Sequence, residues 1–165
     1  MPTRPLVDLD VEAEQIVASQ VGLAWKELRR GAAMGELRDY LFGAGKDALE
    51  LGQVDTLDLL AQHDWRMSEL AEALRVDPST ATRAVQRLTR TGLAHRAMSK
   101  ADGRVVLVSI TTLGRERHEA IAQRRRETMA VLMAEFEPNE RRDLAALMGR
   151  LVKALDELAG QIAPA

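Results

Sequence analysis

Between Arg66 and Ile110 the spacing of apolar residues switches from helical to alternating, and that switch limits the folds open to this chain. In Arg66-Met67-Ser68-Glu69-Leu70-Ala71-Glu72-Ala73-Leu74-Arg75, Leu70, Ala71 and Leu74 share one face of a short helix. Ser68 is its predicted N-cap, because a hydroxyl there takes one of the first free N–H groups. Val76-Asp77-Pro78 ends this helix and opens another, with Asp77 as predicted cap and Pro78 as the first helical residue, where a missing N–H costs nothing. The second helix runs to about Thr91, and Gly92 stops it. Two β-rich runs follow, Leu93–Met98 and Arg104–Ile110, around Ser99-Lys100-Ala101-Asp102-Gly103. Val105, Val106, Val108 and Ile110 are β-branched, and Asp-Gly is a turn signal, so this stretch is predicted to be a hairpin.

Two short helices joined by a tight turn and followed by a two-stranded hairpin make a winged helix-turn-helix. The rest of the chain is helical in pattern. Ile16, Val17, Val21, Trp25 and Leu28 recur at steps of three and four from Val11 onward. Gly31, Gly35, Gly43 and Gly45 then interrupt, and the periodicity leaves open whether the helix continues or bends. A shorter helix is predicted around Gly52 to Gln62. Thr112 opens a long one through about Glu135, and the last runs from about Glu140 to Ile162 with Leu144, Leu147, Met148, Leu151, Leu155 and Leu158 in a stripe. That stripe is too long for one small core and suits a seam between helices of two subunits.

The second helix of the motif has two distinct sides. Ala81, Val85 and Leu88 cluster on one. Arg83, Arg87 and Arg90 fall within roughly 60° of one another on the other, flanked by Ser79, Thr80 and Gln86. Arg reads guanine bidentately, Gln reads adenine, and Ser or Thr meets phosphate or base edges. From Ser79 to Arg104 there are six basic residues (Arg83, Arg87, Arg90, Arg96, Lys100, Arg104) and one acid, Asp102. The stretch therefore carries +5 inside a chain of net charge −2, so the remainder is acidic at −7. A basic surface on an acidic body is the footprint of a phosphate-binding protein.

Other classes of function are poorly served. With no cysteine, thiol chemistry, disulfides and Cys-ligated zinc are excluded. His63, His95 and His118 show no metal-binding spacing, so no metal site is predicted, and no cofactor. There is no nucleophile elbow, phosphate-binding loop or dinucleotide fingerprint, and an enzyme is not expected. No apolar run approaches a membrane span and no signal-peptide core follows Met1-Pro2-Thr3-Arg4-Pro5, so a cytoplasmic protein without membrane attachment is expected. Arg124-Arg125-Arg126 points in three directions from one helix and reads as solvated.

The stretch Ser68-Glu69-Leu70-Ala71, Ser79-Thr80-Ala81-Thr82-Arg83, Leu88, Gly92-Leu93, Asp102-Gly103-Arg104 and Ile110-Thr111-Thr112-Leu113-Gly114-Arg115 resembles the MarR family of bacterial transcriptional regulators. The Asp-x-Arg wing tip before an Ile-Thr-x-x-Gly helix start is its most specific part, and the resemblance covers roughly Val11 to Ile162. It implies a homodimer whose first and last helices intertwine, with one winged domain per subunit. It also implies that Ser79, Thr80, Thr82 and Arg83 enter the major groove, that Arg104 reaches the minor groove, and that Asp102 braces the wing. Arg87 and Arg90 lie later on the helix, where base contact, phosphate contact and no contact all stay open. Two departures stand out: Gly103 replaces a residue that is commonly basic, and the Gly31–Gly45 segment is longer than the usual link.

The expected architecture is mostly α with a small β-hairpin wing: a winged helix-turn-helix DNA-binding domain over 51–111, and a helical dimerisation lobe from 1–50 and 112–165. The expected function is a double-stranded-DNA-binding regulator, a repressor acting on a pseudo-palindromic operator as a homodimer. The DNA-binding set is Ser79, Thr80, Thr82, Arg83, Gln86, Arg87, Lys100 and Arg104. A small-molecule effector, aromatic or phenolic, is the further partner expected, with Trp25 and Trp65 as the aromatics best placed to line its site. A winged-helix module for protein contact and a nonspecific architectural DNA binder are the alternative readings.

Overall fold

A computed structural model describes residues 5–98 and 105–162. The elements run α1 (Glu12–Arg30), α2 (Ala32–Phe42), a single 3-10 turn (Gly45–Asp47), α3 (Leu51–Leu60), β1 (Trp65–Arg66), α4 (Met67–Leu74), α5 (Pro78–Arg90), β2 (Ala94–Met98), β3 (Val106–Ile110), α6 (Thr112–Ala134) and α7 (Pro138–Ile162). This is the mostly helical winged architecture that the periodicity predicts. The chain forms two compact units, Met1–His118 and Glu119–Ala165.

The glycine-spaced segment is a helix. Gly31 separates α1 from α2 in an extended conformation, and a Cβ there would stand 2.7 Å from the Glu27 carbonyl oxygen, so only glycine lets the chain turn so sharply at this point. Gly43 ends α2 at φ 93°, a left-handed value that glycine tolerates without strain. The Arg117 guanidinium then closes the following turn, donating through Nη2 to the carbonyls of Phe42 at 2.9 Å and Asp47 at 3.0 Å.

The core of the first unit lies where α3, α4, α5 and the sheet meet. Val54, Leu57 and Leu60 of α3, Leu70 and Ala71 of α4, and Ala81, Val85 and Leu88 of α5 are all buried, with Leu93, Ala94 and Val108 from the hairpin. Each fully buried leucine removed from water contributes about 1.5–3 kcal/mol, so this cluster fixes how α4 and α5 are presented.

Three strands form one antiparallel sheet in the order β1-β3-β2. Ala94 to Met98 pair with Ile110 to Val106, as the hairpin reading requires. The third strand is new: Trp65 pairs with Val108 and Arg66 with Leu107. That pairing corrects the start of α4. Arg66 is held extended in the ladder and becomes the N-cap, which places Ser68 inside the first turn rather than before it. Glu69 accepts the Arg66 N–H at 3.4 Å in its stead.

α6 starts from a link to the hairpin. The Thr111 hydroxyl accepts the Gly114 N–H at 2.9 Å and donates to the Gly92 carbonyl at 2.7 Å, while the Thr111 N–H donates to Leu93 at 3.1 Å. Arg124 and Arg125 of α6 are half-buried, which corrects the reading of this triplet as solvated; only Arg126 is exposed, donating to Gln123 at 2.6 Å. No helix among the described residues is long and apolar enough to cross a membrane.

Candidate nucleic-acid interface

α5 is built to show one face. Asp77 caps it, its carboxylate accepting the Thr80 N–H at 3.0 Å, and Pro78 supplies the first turn without an orphan donor. At the other end Gly92 takes a left-handed φ of 74°, and Leu93 and Gly92 donate back to Leu88 at 2.8 Å and Thr89 at 3.1 Å. That double bond pattern is a Schellman stop, and it delivers the chain into β2. Between the caps Ala81, Val85 and Leu88 are each fully buried, so rotation of the helix about its axis is fixed. Ser79, Thr80, Arg83, Gln86, Arg87 and Arg90 are consequently exposed together.

These outward residues differ in how freely they can engage a ligand. Among the described residues neither Arg83 nor Arg90 has an ion-pair partner, and both guanidinium groups stand in solvent. Arg87 is engaged: its Nη1 pairs with the Glu50 carboxylate, at the start of α3. Glu50 was not singled out by the sequence, because the contact spans a long stretch of chain.

The hydroxyls are also engaged locally. Ser79 Oγ donates to Asp77 Oδ1 at 2.5 Å, Thr80 Oγ1 donates to Asp77 Oδ2 at 2.6 Å, and Thr82 Oγ1 donates to the Pro78 carbonyl at 2.7 Å. Thr82 is half-buried, on the flank of the helix rather than on its basic face. The hydroxyl bonds from Ser79 and then Thr80, with the Thr80 backbone N–H, hold the Asp77 carboxyl below its ordinary range. Lys100, Asp102 and Arg104, predicted for the wing, lie outside the described residues.

The aromatics and histidines are placed as follows. Trp65 is half-buried in β1, its Nε1 donating to the Leu59 carbonyl at 2.9 Å and its ring stacked on His63 with centroids 4.2 Å apart. Trp25 stands exposed on α1. His118 Nε2 lies 3.1 Å from an Asp58 carboxylate oxygen, and His95 is exposed on β2. Among the described residues no group of three or more His, Asp or Glu side chains is gathered as a metal site would need.

Comparison with known proteins decides what this face belongs to. Residues 49–105 match the profile of the MarR family. An uncharacterized HTH-type transcriptional regulator of Mycobacterium bovis is 30% identical over 89% of this chain and 98% of its own length. The chain belongs to the MarR family. It is a DNA-binding transcriptional regulator, of a kind whose relatives are named as regulators and not as enzymes. The uncharacterized HTH-type transcriptional regulator YxaD of Bacillus subtilis is 35% identical over 54% of this chain, which spans 62% of that relative's length. Among solved structures, Streptococcus pneumoniae FabT in complex with DNA shares the fold at a TM-score of 0.70 and 19% identity, over 88% of this chain and 99% of that one.

Proposed function

We propose that this MarR-family protein is a sequence-specific repressor that works in the cytoplasm as a homodimer on a pseudo-palindromic operator. The observation that carries it is the exposed basic face of α5, set by a buried opposite face and capped at both ends. Arg83 reads bases in the major groove, with Ser79, Thr80 and Gln86 beside it, and Arg90 meets the backbone. Thr82 supports the helix start from its flank. Arg104 of the wing extends the contact and Asp102 braces it, as the family resemblance implies, and Lys100 adds to the basic charge of the same stretch. FabT, of the same fold, has been crystallised with DNA, which supports this use of the architecture.

Residues 51–111 serve as the DNA-binding domain, and 1–50 with 112–165 as the dimerisation lobe. Support for the lobe comes from apolar side chains that the single chain leaves in water. Ile16, Val17, Val21 and Leu28 on α1, and Leu147, Leu155 and Leu158 on α7, are all exposed. A dimer would present two copies of α5 to half-sites about one helical turn apart. An aromatic or phenolic effector, binding near Trp25, releases the operator by favouring a dimer geometry whose helix spacing misfits the DNA.

Capture of sheared genomic DNA at about 0.2 M salt, where nonspecific phosphate contacts are weak, followed by sequencing, tests the reading. A small set of fragments sharing a pseudo-palindrome is expected. A flat distribution would point to an architectural binder, and no retained DNA to a protein-contact module.

A further inference from the structure

The acidic residue just before α3 reaches the recognition helix. Glu50 is the N-cap of α3, held through its backbone: its N–H donates to the Gln53 side-chain oxygen at 3.0 Å, and its carbonyl accepts the Gln53 N–H at 2.9 Å. Gln53 is only 6% exposed, so the cap is anchored to the core. A carboxylate at a helix N-terminus is further held by the helix dipole. The same carboxylate pairs with Arg87. Arg87 lies roughly 40° from Arg83 around α5, so the paired carboxylate puts a negative charge at the edge of the basic face.

That placement has two electrostatic consequences. First, the Arg87 charge is already neutralised before any DNA arrives. The pair is open to water, with Arg87 46% and Glu50 70% exposed, so it adds little to the stability of the fold. Second, a phosphate that approaches Arg87 must approach Glu50 as well, because the Glu50 backbone is tied to the buried Gln53 and keeps the carboxylate within reach of Arg87. Affinity for arbitrary DNA comes almost wholly from phosphate neutralisation, whereas operator affinity adds base contacts. A device that weakens the phosphate term therefore raises discrimination, as a repulsive element against wrong partners does generally.

We propose that Glu50 is a specificity-determining residue of the DNA interface: it holds Arg87 away from the sugar-phosphate backbone and keeps affinity for arbitrary sequence low. The inference rests on α5 being the DNA-reading helix. Its test uses the full-length protein and a random-sequence duplex, with binding followed by fluorescence anisotropy across a salt series. Glu50→Gln keeps the size of the side chain, and Glu50→Ser keeps a good N-cap for α3 without the charge. Each is expected to bind the random duplex about tenfold more tightly, with a log–log salt slope steeper by about one, the signature of one added phosphate contact. In an Arg87→Gln background both gains should vanish.

Wild-type affinity and slope in both Glu50 variants would overturn the proposal while leaving the DNA reading intact. So would an equal gain in the Arg87→Gln background, which would make Glu50 a general source of repulsion and not a holder of Arg87. If neither the wild type nor any variant binds duplex, the DNA reading falls and this inference with it.

Discussion

Asp77 holds Thr80 by two atoms at once, accepting its backbone N–H at 3.0 Å and its hydroxyl at 2.6 Å, and a third bond from Ser79 Oγ comes in at 2.5 Å. The carboxylate therefore does two jobs, capping α5 and fixing the direction of two hydroxyls on its exposed face. With their hydrogens turned toward Asp77, Ser79 and Thr80 offer lone pairs outward. They suit base amino donors better than phosphate oxygens.

The first prediction concerns that carboxylate. Asp77→Ala should lower the midpoint of thermal unfolding, whereas Asp77→Asn, which still caps, should restore most of it. The acid dependence has a definite sign. Because hydrogen bonding lowers the folded-state pKa below the ordinary 3.8, the charged cap stabilises fully above that value and its contribution is lost as pH falls further. Wild type and Asp77→Asn should thus lose stability differently below about pH 4 and in parallel above it. Parallel curves throughout would show that the carboxylate is not specially held.

A second prediction follows from close packing at the base of the wing. A Cβ on Gly114 would lie 2.0 Å from the Leu93 carbonyl oxygen and 2.8 Å from Ile110 Cγ1. The backbone at Leu93, just before β2, and the first turn of α6 would have to separate, which would break the Thr111 bonds to Gly92 and Leu93. Gly114→Ala should cost about 3 kcal/mol in urea unfolding, the upper part of the range for overpacking. Gly149→Ala, where a Cβ meets nothing within 4 Å, is the control and should be neutral or slightly stabilising.

What could be read from the sequence was local. Asp77, Pro78 and Gly92 announce the ends of α5 through their own backbone chemistry, and the β-branched run Val105 to Ile110 announces β3. The start of α4 was misplaced because Arg66 is held extended by Leu107, a partner far along the chain. Four glycines hid α2 since Gly35 is tolerated inside it, while Gly31 and Gly43 mark its ends. The same limit applies at the interface. Helical spacing alone put Arg83, Arg87 and Arg90 on one side, but the pairing of Arg87 with Glu50 depends on how α3 packs against α5.

The third prediction separates reading from positioning on α5. Arg83→Ala should reduce discrimination between an operator fragment and random duplex by about 1–3 kcal/mol, the value of one bidentate base contact. Arg90→Gln, and by family resemblance Arg104→Ala in the wing, should weaken both targets alike and make the salt slope shallower by about one. Anisotropy titrations at several salt concentrations read both quantities. If Arg83→Ala left the ratio of the two affinities unchanged, that residue would not be a base reader.

The last prediction bears on the subunit seam. Leu151, Leu155 and Leu158 of α7 are 36%, 41% and 53% exposed in the single chain, at steps of four and three that keep them on one side of the helix. In the homodimer proposed above a partner would cover this stripe, and association would remove it from solvent at roughly 25 cal/mol per Å². One charge per subunit is introduced twice in a two-fold dimer, so Leu155→Glu would bury two uncompensated carboxylates. Sedimentation equilibrium should show a dimer for the wild type and a monomer for Leu155→Glu. The variant should also lose operator affinity far more than affinity for random duplex, because only the operator needs two α5 helices at a fixed spacing. A dimeric Leu155→Glu with full operator affinity would place the seam elsewhere on the chain.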